Sequence, residues 1–350
     1  MVRMASSDFW NKKAIFSYVL AVLVFTIHLS TLDNYVPYVG TDIKKPLVWF
    51  VKVFSRVAVP AFFILSGALF FRNYENRKFF SKLKSRFKSL VVPYLAWNFI
   101  WMIFGWVTTI YFSQYFIGRP PSDISLHGVF VSVFLHGDNL PFWFIGNLIL
   151  FVFISPIIHL FLKNKCLGII SIIAVLIGVY VLNKLYGAFL KTWFVDAESI
   201  VYYMVGGFIG IHCFRWFTNI SIMKMSMGFA VTLICVLLRS KFDFTVNDLF
   251  GRTLSLAPYA IGLFFCFNAL TDRCKVVPEF VNHSFWVFAV HLNLSAVITK
   301  LLFLSLPKTI SVAWLNLFMT VILTLLLIEL FNRLIWRCFP SLYKILSGFR

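Results

Sequence analysis

The sequence predicts an all-α, polytopic integral membrane protein with about ten transmembrane helices, and three observations predict it. Apolar side chains make up 60% of the 350 residues and aromatic ones 19%, with a mean hydropathy of +0.87, more than a water-facing surface can carry. Apolar runs of roughly 17 to 25 residues recur along the chain, each long enough to cross a hydrocarbon core about 30 Å thick. The basic residues gather between those runs.

The runs place spans near residues 14–32, 47–71, 90–112, 141–162, 166–184, 198–216, 222–239, 253–270, 282–304 and 310–335. A formal net charge of +19 would suggest a nucleic-acid partner for a soluble domain. Here the charge reads as orientation instead, because Lys and Arg in short loops are held on the cytoplasmic side. With both termini cytoplasmic, 20 of the 32 Lys and Arg residues fall inside, so an even number of spans follows. The densest block is Arg72, Arg77, Lys78, Lys82, Lys84, Arg86 and Lys88 against the single acid Glu75, and it anchors the second and third spans. The expected surroundings are membrane lipid, with no nucleic acid.

The first apolar run is about full span length and has no small-x-small site behind a short core, so it reads as a retained helix rather than a cleaved signal. No loop is long enough to bury a core of its own, which makes residues 1–350 one integral domain. The longest outer loop, about 113–140, holds Pro120, Pro121, Asp123, His127, His136 and Asp138, and residues 124–135 within it read as a short interfacial helix. Cys166, Cys213, Cys235, Cys266, Cys274 and Cys338 include no Cys-x-x-Cys, so neither a disulfide framework nor a metal site is expected. Gly206, Gly207 and Gly210 in the sixth span give a Gly-x-x-x-Gly spacing that suits close helix packing.

An ionisable side chain inside a bilayer costs several kcal/mol, so each one is a functional candidate. His28 falls in the outer half of the first span. It reads either as a neutral partner of a neighbouring helix or as a reactive group. His291 lies mid-span in the ninth helix with Ser284 and Asn293, where a polar helix–helix contact is the ordinary use. His159 and His212 sit near cytoplasmic span ends, where snorkelling is expected. Val59-Pro60-Ala61-Phe62-Phe63-Ile64-Leu65-Ser66-Gly67 interrupts the second span with a proline, and Ser66-Gly67 suits a kink or a close backbone approach. Arg86 and Lys88 precede Val92-Pro93-Tyr94; such a basic loop either signals topology or holds the phosphates of an anionic cofactor.

Taken together, these segments resemble the acyltransferase-3 family over about residues 8–335. The resemblance is carried by the histidine closing the first span and the Pro-x-Phe-Phe-x-x-Ser-Gly run. It is carried also by the basic loop ending in Arg-x-x-x-x-x-x-Pro-Tyr, by Phe142-Trp143-Phe144 opening the fourth span, and by Ser284-Phe285 followed by His291. It implies an enzyme of the cell inner (plasma) membrane that moves an acyl group, often acetyl, onto polysaccharides or lipid-linked sugars. By the same resemblance His28 is the catalytic histidine and Arg86 lies near acyl-CoA, with Lys88 beside it. Phe63, Ser66 and Gly67 form the second-span motif, and Trp143 and His291 join them as cavity-lining candidates. The family usually has Arg eleven positions before the histidine; here that position is Ser17, with Lys12 and Lys13 one turn or more earlier. A lysine in the phosphate-facing role, or altered donor handling, follows from that difference.

Acyl transfer to a hydroxyl needs a base for the hydroxyl proton and donors or cations at the developing oxyanion. Imidazole, with an ordinary pKa near 6.5, suits the first task. His28 is accordingly expected as general base or as transient acyl carrier, which the sequence does not separate. Acyl-CoA, acetyl-CoA above all, is the expected co-substrate from the cytoplasm, and a cell-surface or lipid-linked glycan the acceptor. Asp33, Asp42, Asp138 and Tyr115 are candidate acceptor contacts. The rival readings are a transporter or flippase with a similar number of spans, and a non-catalytic membrane scaffold.

Overall fold

The structure, a computed structural model, describes residues 2–112, 123, 125–135, 138–186, 197–219, 221–242, 249–271 and 277–349. Those residues are helical almost throughout, with no strand among them. In chain order the helices are α1 (Val2–Ile27), α2 (Val36–Val39), α3 (Lys45–Phe50), α4 (Ala58–Phe71), α5 (Phe79–Arg86), α6 (Val92–Tyr111), α7 (Leu126–Phe134), α8 (Trp143–Phe153), α9 (Ser155–Leu162), α10 (Lys165–Tyr186), α11 (Ala197–His212), α12 (Phe214–Thr218), α13 (Ile222–Lys241), α14 (Leu249–Leu270), α15 (Ser284–Ser305), α16 (Ile310–Cys338) and α17 (Pro340–Leu346). Eight stretches among the described residues are long and apolar enough to cross a membrane. The chain is a polytopic α-helical membrane protein.

Four of the expected segments take a different form. The first span runs as expected through residue 32, but its α-helix ends at Ile27, and a 3-10 turn over Thr31–Asn34 follows after His28–Ser30. The interruption in the second span precedes Pro60: a π-helical turn over Val51–Ser55 leads into a break at Arg56 and Val57. Pro60 then falls in the first turn of α4, where its missing N–H has no helical partner to lose. The fourth span is the pair α8 and α9, bent by 67° at Ile154, because Pro156 cannot donate into the preceding turn. The sixth is the 16-residue α11, about 24 Å long at 1.5 Å per residue, stopped at Cys213 before α12 begins. Residues 126–134 of the outer loop form α7, as expected, whereas Tyr115, Pro120, Pro121 and His136 lie outside the described residues.

Two compact units divide the chain. The first comprises Met1–Ile27, Trp49–Leu83 and Leu150–Ser284; the second comprises His28–Val48, Lys84–Ile149 and Phe285–Arg350.

Within the first unit, α4 and α11 approach backbone to backbone. A Cβ on Gly67 would lie 2.2 Å from the Tyr203 carbonyl oxygen, and one on Gly206 would lie 2.0 Å from that of Ile64. Only hydrogen fits at these two positions, which is the close-packing use expected of the glycine spacing. At the start of α11, Glu198 is buried and accepts hydrogen bonds from Tyr202, Arg252 and Thr253. A carboxylate in a helix's first turn also meets the positive end of its dipole. Arg239, equally buried, donates twice to the Lys52 carbonyl, at 2.8 and 3.1 Å, and once to Ser255. Beyond α4, Arg77 and Lys78 both pair with Glu75. Hydrogen bonds from Lys78 and then Arg77 hold that carboxyl below the usual carboxylate range.

Within the second unit, α6 lies against α7, α15 and α17 through ring N–H and amide donors. Trp97 Nε1 donates to the Leu346 carbonyl at 3.0 Å, Trp101 Nε1 to that of Ala289 at 2.9 Å, and Asn98 Nδ2 to that of Val133 at 3.0 Å. In lipid such groups must find partners inside the protein, so each bond fixes a helix against its neighbour.

Candidate active site

His28 is the first residue beyond α1 and belongs to the second unit. Its ring centroid lies 5.4 Å from that of His291, with the planes inclined at 41°. His291 is fully buried in α15, and its Nδ1 is 2.9 Å from the Val287 carbonyl one turn earlier. Because a carbonyl can only accept, Nδ1 carries the proton in that bond, and the neutral ring presents Nε2 as an acceptor.

A run of aromatic rings leads up to this pair. Phe288, one turn before His291, lies 6.3 Å from it; Phe142 stacks on Phe288 at 5.7 Å, and Tyr94 stacks on Phe142 at the same distance. Phe144 meets Phe288 edge-on at 5.6 Å. Three separated sequence motifs thereby converge on one place in the second unit: Pro93-Tyr94, Phe142-Trp143-Phe144 and the segment ending in His291. Trp143 itself is half-buried at the start of α8, and its carbonyl accepts from Asn147 Nδ2 at 2.8 Å.

Below His28 in sequence, the chain is held by a ladder of buried polar groups. Thr31 Oγ1 is 2.9 Å from Thr299 Oγ1, Thr299 Oγ1 is 3.2 Å from Thr320 Oγ1, and Thr320 donates to Asn316 Oδ1 at 3.1 Å. Asn316 Nδ2 donates to the Tyr35 hydroxyl at 2.9 Å. None of these five residues entered the site from sequence reasoning. Their signal was present in α16, where Asn316, Thr320, Thr324 and Asn332 recur at multiples of four and form one buried stripe on an otherwise apolar helix.

The other expected site residues fall in both units. Phe63 and Gly67 pack within the first: the Phe63 ring is fully buried 5.9 Å from Phe151, and Gly67 makes the α11 contact. Ser66, between them in α4, is half-buried. Lys12 and Lys13 also belong to the first unit, Lys12 buried and Lys13 set 5.9 Å over the Trp10 ring, while Ser17 is buried in α1. Arg86 ends α5 and Lys88 is exposed in the turn after it, both in the second unit. Of the acceptor candidates, Asp33 and Asp42 form exposed ion pairs with Lys44 and Lys45, and the Asp138 carbonyl accepts from Asn293 at 3.4 Å. His159 lies between Tyr74 and Phe71 and His212 bonds the Leu162 carbonyl, both packing uses.

The fold and this pair of imidazoles define a class: a multi-pass membrane protein with a histidine where the first span ends, faced by a second histidine from a later one. The chain belongs to the acyltransferase-3 family, whose family model, described as "Acyltransferase domain", matches residues 18–329. Comparison with curated proteins and with solved structures gives no match. The protein is thus a membrane acyltransferase.

Proposed function

We propose that this protein is an O-acyltransferase of the plasma membrane that moves an acyl group, acetyl foremost, from cytoplasmic acyl-CoA to a hydroxyl of a cell-surface or lipid-linked glycan. The observation that carries the reading is the placement of His28 beside His291 at the end of the first span. His28 takes the acceptor hydroxyl proton as the oxygen attacks the thioester carbonyl; the carbon–sulfur bond breaks, and the proton passes to the departing thiolate. A base is what such a step lacks in an apolar environment, and the half-buried imidazole of His28 has a ring nitrogen that can serve as one. Arg86 and Lys88 are proposed to face the phosphates of the donor, for which cations are suited, and Lys12 or Lys13 is proposed to stand in for the arginine that the family usually has before the histidine. Phe63, Ser66 and Gly67 are proposed to serve as the family's second-span motif, and Trp143 as a cavity-lining residue in its own unit.

The test is incubation of purified protein in lipid nanodiscs with labelled acetyl-CoA and a panel of glycans. Acceptor-dependent transfer of label is the expected result. Movement of a glycan across a vesicle membrane with no label transferred would replace this reading by the flippase one.

A further inference from the structure

We infer that the buried ladder Thr31–Thr299–Thr320–Asn316–Tyr35 positions His28, with Thr299 and Asn316 as its key positioning residues. The inference rests on the reading of His28 as the reacting base.

His28 starts a stretch without regular structure: the helix has ended, Leu29 and Ser30 follow, and Ser30 is exposed. A base so placed keeps its aim only if the chain is fixed on its far side as well. Thr31 supplies that point, with no solvent exposure and a hydroxyl bonded to Thr299. The partner of His28 and the partner of Thr31 are carried by the same helix. Eight residues of α15 separate His291 from Thr299, a rise of about 12 Å, and the three residues from His28 to Thr31 reach about 10 Å at full extension. The segment therefore runs along α15 and is registered to it at both ends.

The direction of every bond in the ladder is forced. Thr320 spends its single proton on Asn316 Oδ1, so it must accept from Thr299; Thr299 has then spent its proton and must accept from Thr31. Asn316 uses its amide on the Tyr35 hydroxyl and on the Thr299 carbonyl, the latter at 3.4 Å. Loss of the Thr299 hydroxyl would strand the Thr31 donor at one end and the Thr320 acceptor at the other. A buried ladder with one proton order specifies one geometry, whereas apolar contacts alone tolerate sliding.

The experiment compares Thr299→Val, Thr299→Ser and Tyr35→Phe with the parent and with His28→Ala, each normalised to folded protein. Valine keeps the shape of threonine and removes the hydroxyl; serine keeps the hydroxyl. We expect Thr299→Val to lower kcat about tenfold or more with KM for donor and acceptor little changed, since displacement of a reacting group by 1 Å can cost about 10²-fold. Thr299→Ser should restore most of the rate. Parent-like kcat in Thr299→Val, or equal loss in the serine variant, overturns the inference. Should the valine variant not fold, Tyr35→Phe decides: it removes only the oxygen that Asn316 donates to, and a full kcat there is equally fatal. An active His28→Ala would instead overturn the general-base reading, so the two failures are told apart.

Discussion

His291 holds its ring 5.4 Å from that of His28, and because α15 carries it at a fully buried position, its orientation is fixed by helix packing rather than by solvent. The pair therefore behaves as a unit, and mutations in it should not act independently.

For His28 itself, His28→Ala and His28→Gln should leave the protein inserted and folded and lower acyl transfer by roughly 10²-fold or more, the usual range for a general base. The check is turnover per folded molecule, with size-exclusion profile and melting temperature as controls. A residue used only for packing would show the reverse, lower stability with near-normal turnover.

For His291, we expect His291→Ala to reduce kcat by less than His28→Ala does, and the double variant to be no slower than His28→Ala alone. Steady-state kinetics on the four proteins measures the coupling. Multiplicative effects would mean that the second imidazole acts elsewhere.

For the donor, Arg86→Ala should raise the apparent KM for acyl-CoA more than that for the acceptor, since a cation facing phosphate contributes to donor binding before chemistry. Equal change in both constants, or none, would return Arg86 to a role in orientation of the chain.

Helix packing makes a separate prediction. Gly206→Ala pushes a methyl into the Ile64 carbonyl and should destabilise the protein by about 1–3 kcal/mol, the usual range for overpacking. Gly178→Ala in α10, where a Cβ meets nothing within 4 Å, is the control and should be neutral. Thermal unfolding in detergent reads both.

Orientation is tested at Lys84, an exposed residue of α5. In a background with the native cysteines replaced, Lys84→Cys should resist an impermeant thiol reagent in intact cells and react after permeabilisation. Labelling from outside would invert the topology.

Much of this architecture was legible in the sequence, because lipid imposes so simple a rule: apolar runs of span length become helices, and the expected segments are mostly helical, eight stretches among the described residues being long and apolar enough to cross a membrane. The details that escaped are ones that composition does not encode. The end of α1 at Ile27 falls inside an apolar run, and the bend at Ile154 depends on one proline within another. In the site, His28 and His291 were each visible as costly polar residues, but nothing in either segment alone says that they meet. The ladder was missed for a different reason: threonine and asparagine are ordinary in apolar spans, and only their spacing in α16, once set beside Thr31 and Tyr35, gives them a role.

The buried stripe of α16 also bears on the order in which the protein is made. Its opposite side, with Phe318, Ile322, Leu326 and Leu330 exposed, is apolar enough for the helix to enter a bilayer unaided. The Thr320 hydroxyl already donates to Asn316 within α16, but the Asn316 amide and the free acceptor side of Thr320 are met by α15 and the Thr31–Tyr35 segment. Insertion of α16 can thus precede its docking, to which interhelical hydrogen bonds contribute beside packing. Docking of α16 against α15 is the step that satisfies its polar stripe and fixes the segment that follows His28.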